Sequence, residues 1–327
     1  MIIVMREKAT EAELRGVIGL IRRLGLSERI SRGVERTLVG AVGDERVFEP
    51  RSFEALPGVE KVARIVKEWR MISREARPQD AIVTVRKRRF GEGRLRALRL
   101  KGAGDDPEAA LRLAARDPDL GEPAAFLAEP FADALRPYAP APDPKAARSE
   151  AKSWAERCKA SGIPVACRIR NLSQLEFALG MSADVIYVAG DALNDLDMNQ
   201  ALGKLNVPLV LCKGPQHNPE DWLVAAERVA LRGNAQIILG DEGAPGRLGP
   251  RLDVEGIAFA KAQCNLPILA NISAFSAPNA NLSPRALARI AFEAGASIVL
   301  TDPERRQAKP ESGGQTDQPG FPRSRQQ

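Results

Sequence analysis

VPLVLCKGPQHNPEDWLVAAERVALRGNAQIILG, residues 207–240, contains one complete strand, helix and strand unit. The apolar runs at 207–212 and 235–239 have strand length and composition. Between them, Pro219 opens a segment to Leu231 in which apolar residues recur every three or four positions, the spacing of an amphipathic helix with proline in its first turn. A strand, a helix and a second strand in this order predict a parallel β/α unit.

The same alternation continues in both directions. Strand-like runs fall at 95–100, 124–128, 164–169, 184–189, 207–212, 235–239, 266–270 and 297–301, and residues 284–294 repeat the helical pattern with Pro284 at its start. Eight such runs predict an α/β fold of the (β/α)8 TIM-barrel type. Two stretches fit it poorly. Seven prolines lie between Pro118 and Pro144, so the second repeat is expected to be distorted or loop-like. Residues 303–327 are rich in Pro, Gly, Gln and charge without periodicity, which predicts a disordered tail and a missing eighth helix.

The N-terminal 72 residues read differently. MIIVMREKAT, residues 1–10, lacks the long apolar core and cleavage site of a signal peptide and is read as a first strand. A helix follows from Thr10 to Leu24, with Leu14, Val17, Ile18 and Ile21 on one face and Thr10 with Glu13 as a capping box. Strands around 29–31, 36–42 and 59–66 and a short helix near 53–56 complete a β-α-β-β-α-β order, the ferredoxin-like α+β domain. The expected domains are 1–72, 73–302 and the tail 303–327.

Composition narrows the functional classes. Of 327 residues 44% are hydrophobic and 28% charged, and no apolar run approaches the length of a membrane span, so a cytoplasmic globular protein with no membrane partner is expected. Cys158, Cys167, Cys212 and Cys264 form no CxxC pair, which argues against a zinc cluster or a disulfide framework. Much of the net charge of +6 lies in Arg86-Lys87-Arg88-Arg89 and Arg94, Arg96, Arg99 and Lys101. A nucleic-acid surface is one reading, but no aromatics are interleaved for base stacking, and a solvated β-hairpin turning at Phe90-Gly91-Glu92-Gly93 is preferred. The only histidine, His217, follows the fifth strand and is read as a surface-loop residue rather than a metal ligand.

SRGVERTLVGAVGDER (31–46), LPGVEKV (56–62) and ISRE (72–75) closely resemble the regulatory domain of type I-beta 3-deoxy-D-arabino-heptulosonate 7-phosphate (DAHP) synthases. Segments 208–214, 221–234, 237–243 and LPIL (266–269) resemble the barrel of the same family, and the match is weak from about 102 to 160. The resemblance implies condensation of phosphoenolpyruvate with erythrose 4-phosphate at the C-terminal strand ends, with a divalent metal and with Lys and Arg holding two phosphates. It further implies an aromatic amino acid bound between subunits near Arg29, Ser31 and Gly33.

Against that pattern the chemical residues are missing. Gly102-Ala103-Gly104 stands where the first strand has Gly-Pro-Cys, and Asn271-Ile272-Ser273-Ala274 where the seventh has Asp-Pro-Ser-His. The eighth strand carries no carboxylate, the nearest substitutes being Asp302 and Glu311, and Ser312-Gly313-Gly314 replaces Ser-Asp-Gly. The Arg-Gly-Gly and Lys-Pro-Arg motifs have no counterpart in 122–137; Lys-Arg-Gly becomes Cys212-Lys213-Gly214; and two arginines align with Asp191 and Glu242. The third-strand Thr-Glu falls near Cys167-Arg168. An acidic mouth built from Asp191, Asp241 and Glu242 is therefore expected, repelling phosphate.

No metal site and no cofactor are expected. The residual mouth candidates are Lys213, Arg168, Asp191 and Glu242, with Asn194, Asp195 and Asp241 near them, forming either a salt-bridged rim or a new acid/base site. Two functional expectations follow. One is a non-catalytic paralogue that binds an aromatic amino acid and works as a homo-oligomer or in complex with an intact DAHP synthase. The other is an active aldolase-type transferase with a divergent site, which alone would need a divalent metal.

Overall fold

The computed structural model describes residues 1–32, 36–43, 49–63, 67–100, 106–131, 143–247, 249–275 and 282–303. Its first part is a four-stranded antiparallel sheet in the order β2-β3-β1-β4, built from β1 (Ile2–Met5), β2 (Ser27–Arg32), β3 (Thr37–Val42) and β4 (Val59–Ala63). Helices α1 (Glu11–Arg23) and α2 (Pro50–Glu54) connect them as expected. Thr10 Oγ1 accepts from the Glu13 amide at 3.2 Å and Glu13 Oε2 accepts from the Thr10 amide at 2.7 Å, so the capping box forms.

Strand alternation gives this sheet two buried faces. Met1, Ile3 and Met5 pack with Leu14, Val17, Ile21 and Phe53 under the helices. Ile2, Val4 and Leu38 face the other way, onto Trp69, Met71 and Ile72 of the segment leading to the second part. That segment is tied down by the buried Glu227, whose carboxylate accepts from the Met71 amide at 2.9 and 3.0 Å and from the Ile72 amide at 3.3 Å.

The second part is a closed barrel of eight parallel strands: β7 (Leu95–Arg99), β8 (Glu122–Ala128), β9 (Val165–Ile169), β10 (Val185–Val188), β11 (Leu209–Lys213), β12 (Ile237–Asp241), β13 (Ile268–Asn271) and β14 (Ile298–Thr301). Strand β14 pairs with β7 and closes the ring. Helices α3 (Pro107–Ala114), α4 (Pro144–Ala160), α5 (Leu175–Gly180), α6 (Leu196–Leu202), α7 (Pro219–Ala230), α8 (Val254–Gln263) and α9 (Pro284–Ala294) follow the first seven strands in turn. No helix among the described residues is long and apolar enough to cross a membrane.

The hairpin expectation needs adjustment, and two others fall largely outside the described residues. The hairpin is formed by β5 (Val83–Val85) and β6 (Arg88–Phe90), so the chain turns at Arg86-Lys87, not at 90–93; Arg86 takes φ 53°, as a tight two-residue turn requires. Its apolar residues Val83, Val85 and Phe90 pack into the barrel interior, so the hairpin is a plug rather than a solvated arm. In the second repeat β8 forms as expected with a register shift at Arg96/Ala97 opposite Pro123, Pro144 sits in the first turn of α4, and the rest of the proline-rich segment, 132–142 with Pro137, Pro140 and Pro142, lies outside the described residues. The eighth helix and the disordered tail concern residues 304–327, outside the described set, and α9 is tied to the turn before β8 by Arg285–Asp117 at 2.7 Å and Arg289–Asp119 at 3.1 Å.

Candidate functional site

Alternation along the barrel strands decides which side chains can reach a substrate. Ala97, Leu127, Ala166, Tyr187, Ile238 and Leu300 point inward and pack with Phe90, leaving an apolar void of about 30 Å³, too small for any sugar phosphate. Two residues further along from Ala97, Leu127 and Ala166 of β7, β8 and β9 come Arg99, Glu129 and Arg168, and four further along from Ile238 of β12 comes Glu242; these form the polar layer above that core.

These four groups make one chain of ion pairs. Arg99 Nη1 lies 2.8 Å from Glu129 Oε2, Arg168 Nη1 lies 3.3 Å from Glu129 Oε1, and Arg168 Nη2 lies 2.7 Å from Glu242 Oε1. Glu242 also accepts from the Tyr187 hydroxyl at 3.1 Å and, through Oε2, from the Gly190 amide at 2.9 Å. Gly190 must be glycine, since a Cβ there would come within 2.3 Å of the Gly214 nitrogen. Burial first holds both the Tyr187 hydroxyl and the Cys212 thiol beneath well above their ordinary pKa; Cys212 and Glu242 raise Tyr187 further, Glu242 raises Cys212 further while the Tyr187 hydrogen bond opposes it, and both stay protonated.

Two of the four sequence-level candidates, Arg168 and Glu242, are thus brought together, and two are not. Lys213 is fully buried on the opposite face of its strand, where Nζ lies 3.2 Å from Asp241 Oδ1, 2.8 Å from Asp253 Oδ2 and 2.8 Å from the Gly243 carbonyl. Lys213 stands one position after the family's lysine, and a shift of one residue along a strand reverses the face. Asp191 sits on an exposed turn after β10, with Arg170 Nε at 4.0 Å. The expected acidic mouth is not formed, because Asp241 belongs to the Lys213 cluster and Glu242 is neutralised by Arg168. Asn194 and Asp195 stay on the loop after β10, where Asp195 caps α6 through the Met198 amide at 2.9 Å.

Sequence reasoning missed Arg99, noted only as part of a basic run, and Glu129, Tyr187 and Asp253. The available signal was parity: counting by two from the inward apolar residues of each strand reaches Arg99, Glu129 and Tyr187. The basic run itself is largely neutralised, with Arg86 on Asp184 at 2.9 Å, Arg88 on Glu122 at 2.8 Å, Arg94 on Glu293 at 2.8 Å and Arg89 on Glu92. Arg96 is buried and faces out of the barrel, donating to Thr301 Oγ1 at 2.7 Å.

The resemblance would place a divalent metal between strands β7, β13 and β14. In that sector the Arg99 guanidinium is already present, its Nε donating to Ser273 Oγ at 2.8 Å and lying 3.6 Å from Asp302 Oδ1. Ser273 Oγ in turn donates to Asn271 Oδ1 at 2.7 Å. A dication 4 Å from a guanidinium would meet a repulsion of about 8 kcal/mol at an effective dielectric near 20. Among the described residues no three His, Cys, Asp or Glu side chains converge, and His217 stays on its loop with Nδ1 making no hydrogen bond. The described residues of this sector, Arg99, Asn271, Ser273 and Asp302, do not fit the metal. Gly102, Ala103 and Gly104 lie outside the described residues.

All four cysteines are free and buried, with burial pushing Cys158 and Cys167 up to about 12 and Cys264 to about 11, so none of these three is a thiolate nucleophile at neutral pH. In the first domain, Arg29 is exposed on β2 and donates to the Glu28 carbonyl at 3.4 Å, while Ser31, two positions on and therefore on the same face, is buried. Gly33 lies outside the described residues.

Comparison with known proteins agrees with this architecture. Residues 1–67 match the family model of the DAHP synthase ferredoxin-like domain. A phospho-2-dehydro-3-deoxyheptonate aldolase of Thermotoga maritima is 27% identical over 311 residues, covering 94% of this chain and 90% of the relative. The crystal structure of a Thermotoga maritima phospho-2-dehydro-3-deoxyheptonate aldolase (DAHP synthase) superposes with a TM-score of 0.58 at 24% identity, covering 92% of this chain and 87% of that one. A truncated form of the 3-deoxy-D-arabino-heptulosonate 7-phosphate synthase from the same organism gives 0.56 at 21% identity, over 72% and 84%. A ferredoxin-like domain that matches that family's model over residues 1–67 is thus joined to an eight-stranded barrel, and over nearly its whole length the chain is similar to DAHP synthases.

Proposed function

We propose that this chain is a degenerate type I-beta member of the family, belonging to aromatic amino acid biosynthesis, that does not condense phosphoenolpyruvate with erythrose 4-phosphate and instead works by binding. The observation that carries this reading is Arg99. Its guanidinium stands in the sector where the family's metal would be held, and its partners Ser273 and Glu129 are engaged by it. The mouth charges are also spent on one another: both carboxylates of the inner layer bind arginines, and Lys213 points away from the interior.

In this reading the ferredoxin-like domain keeps the sensing role, with an aromatic amino acid bound near Arg29, Ser31 and Gly33, and the partner is a second copy of the chain or an intact DAHP synthase. Calorimetry with tyrosine and phenylalanine tests sensing; no heat from either removes it. Phosphoenolpyruvate consumption in the presence of erythrose 4-phosphate and a panel of divalent metals tests the barrel. The expected result is no turnover above background. Turnover abolished by chelator establishes the alternative, an active synthase with a divergent site, which is favoured by the name of a relative aligned over 94% of the chain.

A further inference from the structure

Glu129 holds an unusual position: one carboxylate oxygen contacts Arg99 and the other contacts Arg168, at 2.8 and 3.3 Å. A small carboxylate or phosphate bridging two arginines in a barrel mouth would make the same two contacts. We propose that Arg99 and Arg168 form a binding site for a small carboxylate or phosphate anion, and that Glu129 occupies it as an internal ligand.

Three observations support this assignment. Each arginine has an anchor independent of Glu129, since Arg168 Nη2 is 2.7 Å from Glu242 and Arg99 Nε is 2.8 Å from Ser273 Oγ. The guanidiniums therefore stay in place when the carboxylate between them is removed, which is the preorganisation an anion site needs. Arg168 Nε is buried and makes no hydrogen bond, so the site retains an unused donor. Finally, the inner layer is balanced by Glu129: two arginines face two glutamates, a formal charge of 0 that becomes +1 without it. Asp302 is the other charged group near Arg99, 3.6 Å away and largely exposed, and Tyr187 presents its ring to Arg168 at 5.9 Å.

The inference does not depend on the absence of catalysis, because it concerns binding of an anion with no turnover. Its test is calorimetric titration of the full chain and of Glu129→Ala with inorganic phosphate and, separately, acetate. The expected result is at least a tenfold gain in affinity for one of these anions in Glu129→Ala over the unmodified chain, and its loss in Arg99→Ala/Glu129→Ala. Equal affinity in the unmodified chain and Glu129→Ala, or unchanged affinity in the double variant, overturns the proposal. If Glu129→Ala does not fold by circular dichroism, Glu129→Gln, which keeps the volume and removes the charge, takes its place with the same outcomes. The titrations read anion binding and the phosphoenolpyruvate assay on the unmodified chain reads turnover, so the two readings fail separately.

Discussion

Replacing Lys213 by methionine tests whether that lysine belongs to the scaffold or to the mouth. Its Nζ lies between Asp241 and Asp253, and both Lys213 and Asp241 have no exposed side-chain surface. Lys213→Met keeps the aliphatic stem and leaves Asp241 as an uncompensated buried charge, a change that costs about 3–5 kcal/mol. The pH dependence gives a sharper signature. Burial raises Asp241 from 3.8 to about 6 even with Lys213, the Gly243 amide and the Asp253 amide opposing it. The folded state thus binds this proton more tightly than the unfolded state, and the group's contribution to stability falls as pH rises from 3.8 through 6. Without Lys213 the folded pKa moves higher still. The deficit of Lys213→Met is then larger at pH 8 than at pH 5. Urea unfolding followed by tryptophan fluorescence measures it, because Trp222 lies 5.8 Å from Nζ. Lys213→Met/Asp241→Asn should recover part of the loss at pH 8. A deficit equal at both pH values, or a double variant no more stable than the single one, would refute the assignment of Lys213 to a structural ion cluster.

Two further outcomes are expected. Glu227→Ala leaves the Met71 and Ile72 amides without their acceptor, costing about 2–4 kcal/mol; the ferredoxin-like sheet should then lose its shared transition with the barrel, so unfolding curves followed by tryptophan fluorescence and by far-ultraviolet dichroism should separate. Phe90→Ala empties the plug beneath the barrel core and should lower stability by about 3–5 kcal/mol, and coincident midpoints for the variant and the parent would show that the hairpin does not support the interior.

Most of the fold could be read from the chain because it is written in short, regular signals. Residues 284–294 match a helix in pattern and in bounds, with Pro284 in the first turn and Gly295 at φ 116° ending it. Thr10 and Glu13 announce their helix by a local hydrogen-bond exchange that needs no tertiary partner. The error at the hairpin has an equally local origin. Gly91 and Gly93 suggested the hairpin turn, yet the turn is made by Arg86 in the left-handed region, which arginine adopts only when the surrounding strand pairing requires it.

The site was less legible, for a reason visible at Cys212 and Lys213. In sequence Lys213 keeps a family charge, but neighbours in a strand face opposite sides, so the charge leaves the interior and Cys212, a neutral buried thiol, takes the inward position. Such a lysine survives only if the outer layer provides counter-charges, and Asp241 and Asp253 do so from the next strand and the start of the next helix. The converse holds at Arg99, which a composition scan assigns to a basic surface and the strand register turns inward, toward Glu129 and Ser273. Each of these placements depends on partners distant in sequence, Arg99 with Ser273 and Lys213 with Asp253. A motif comparison detects which residues have been lost from a site, whereas the register of the strands determines what the remaining charges have become.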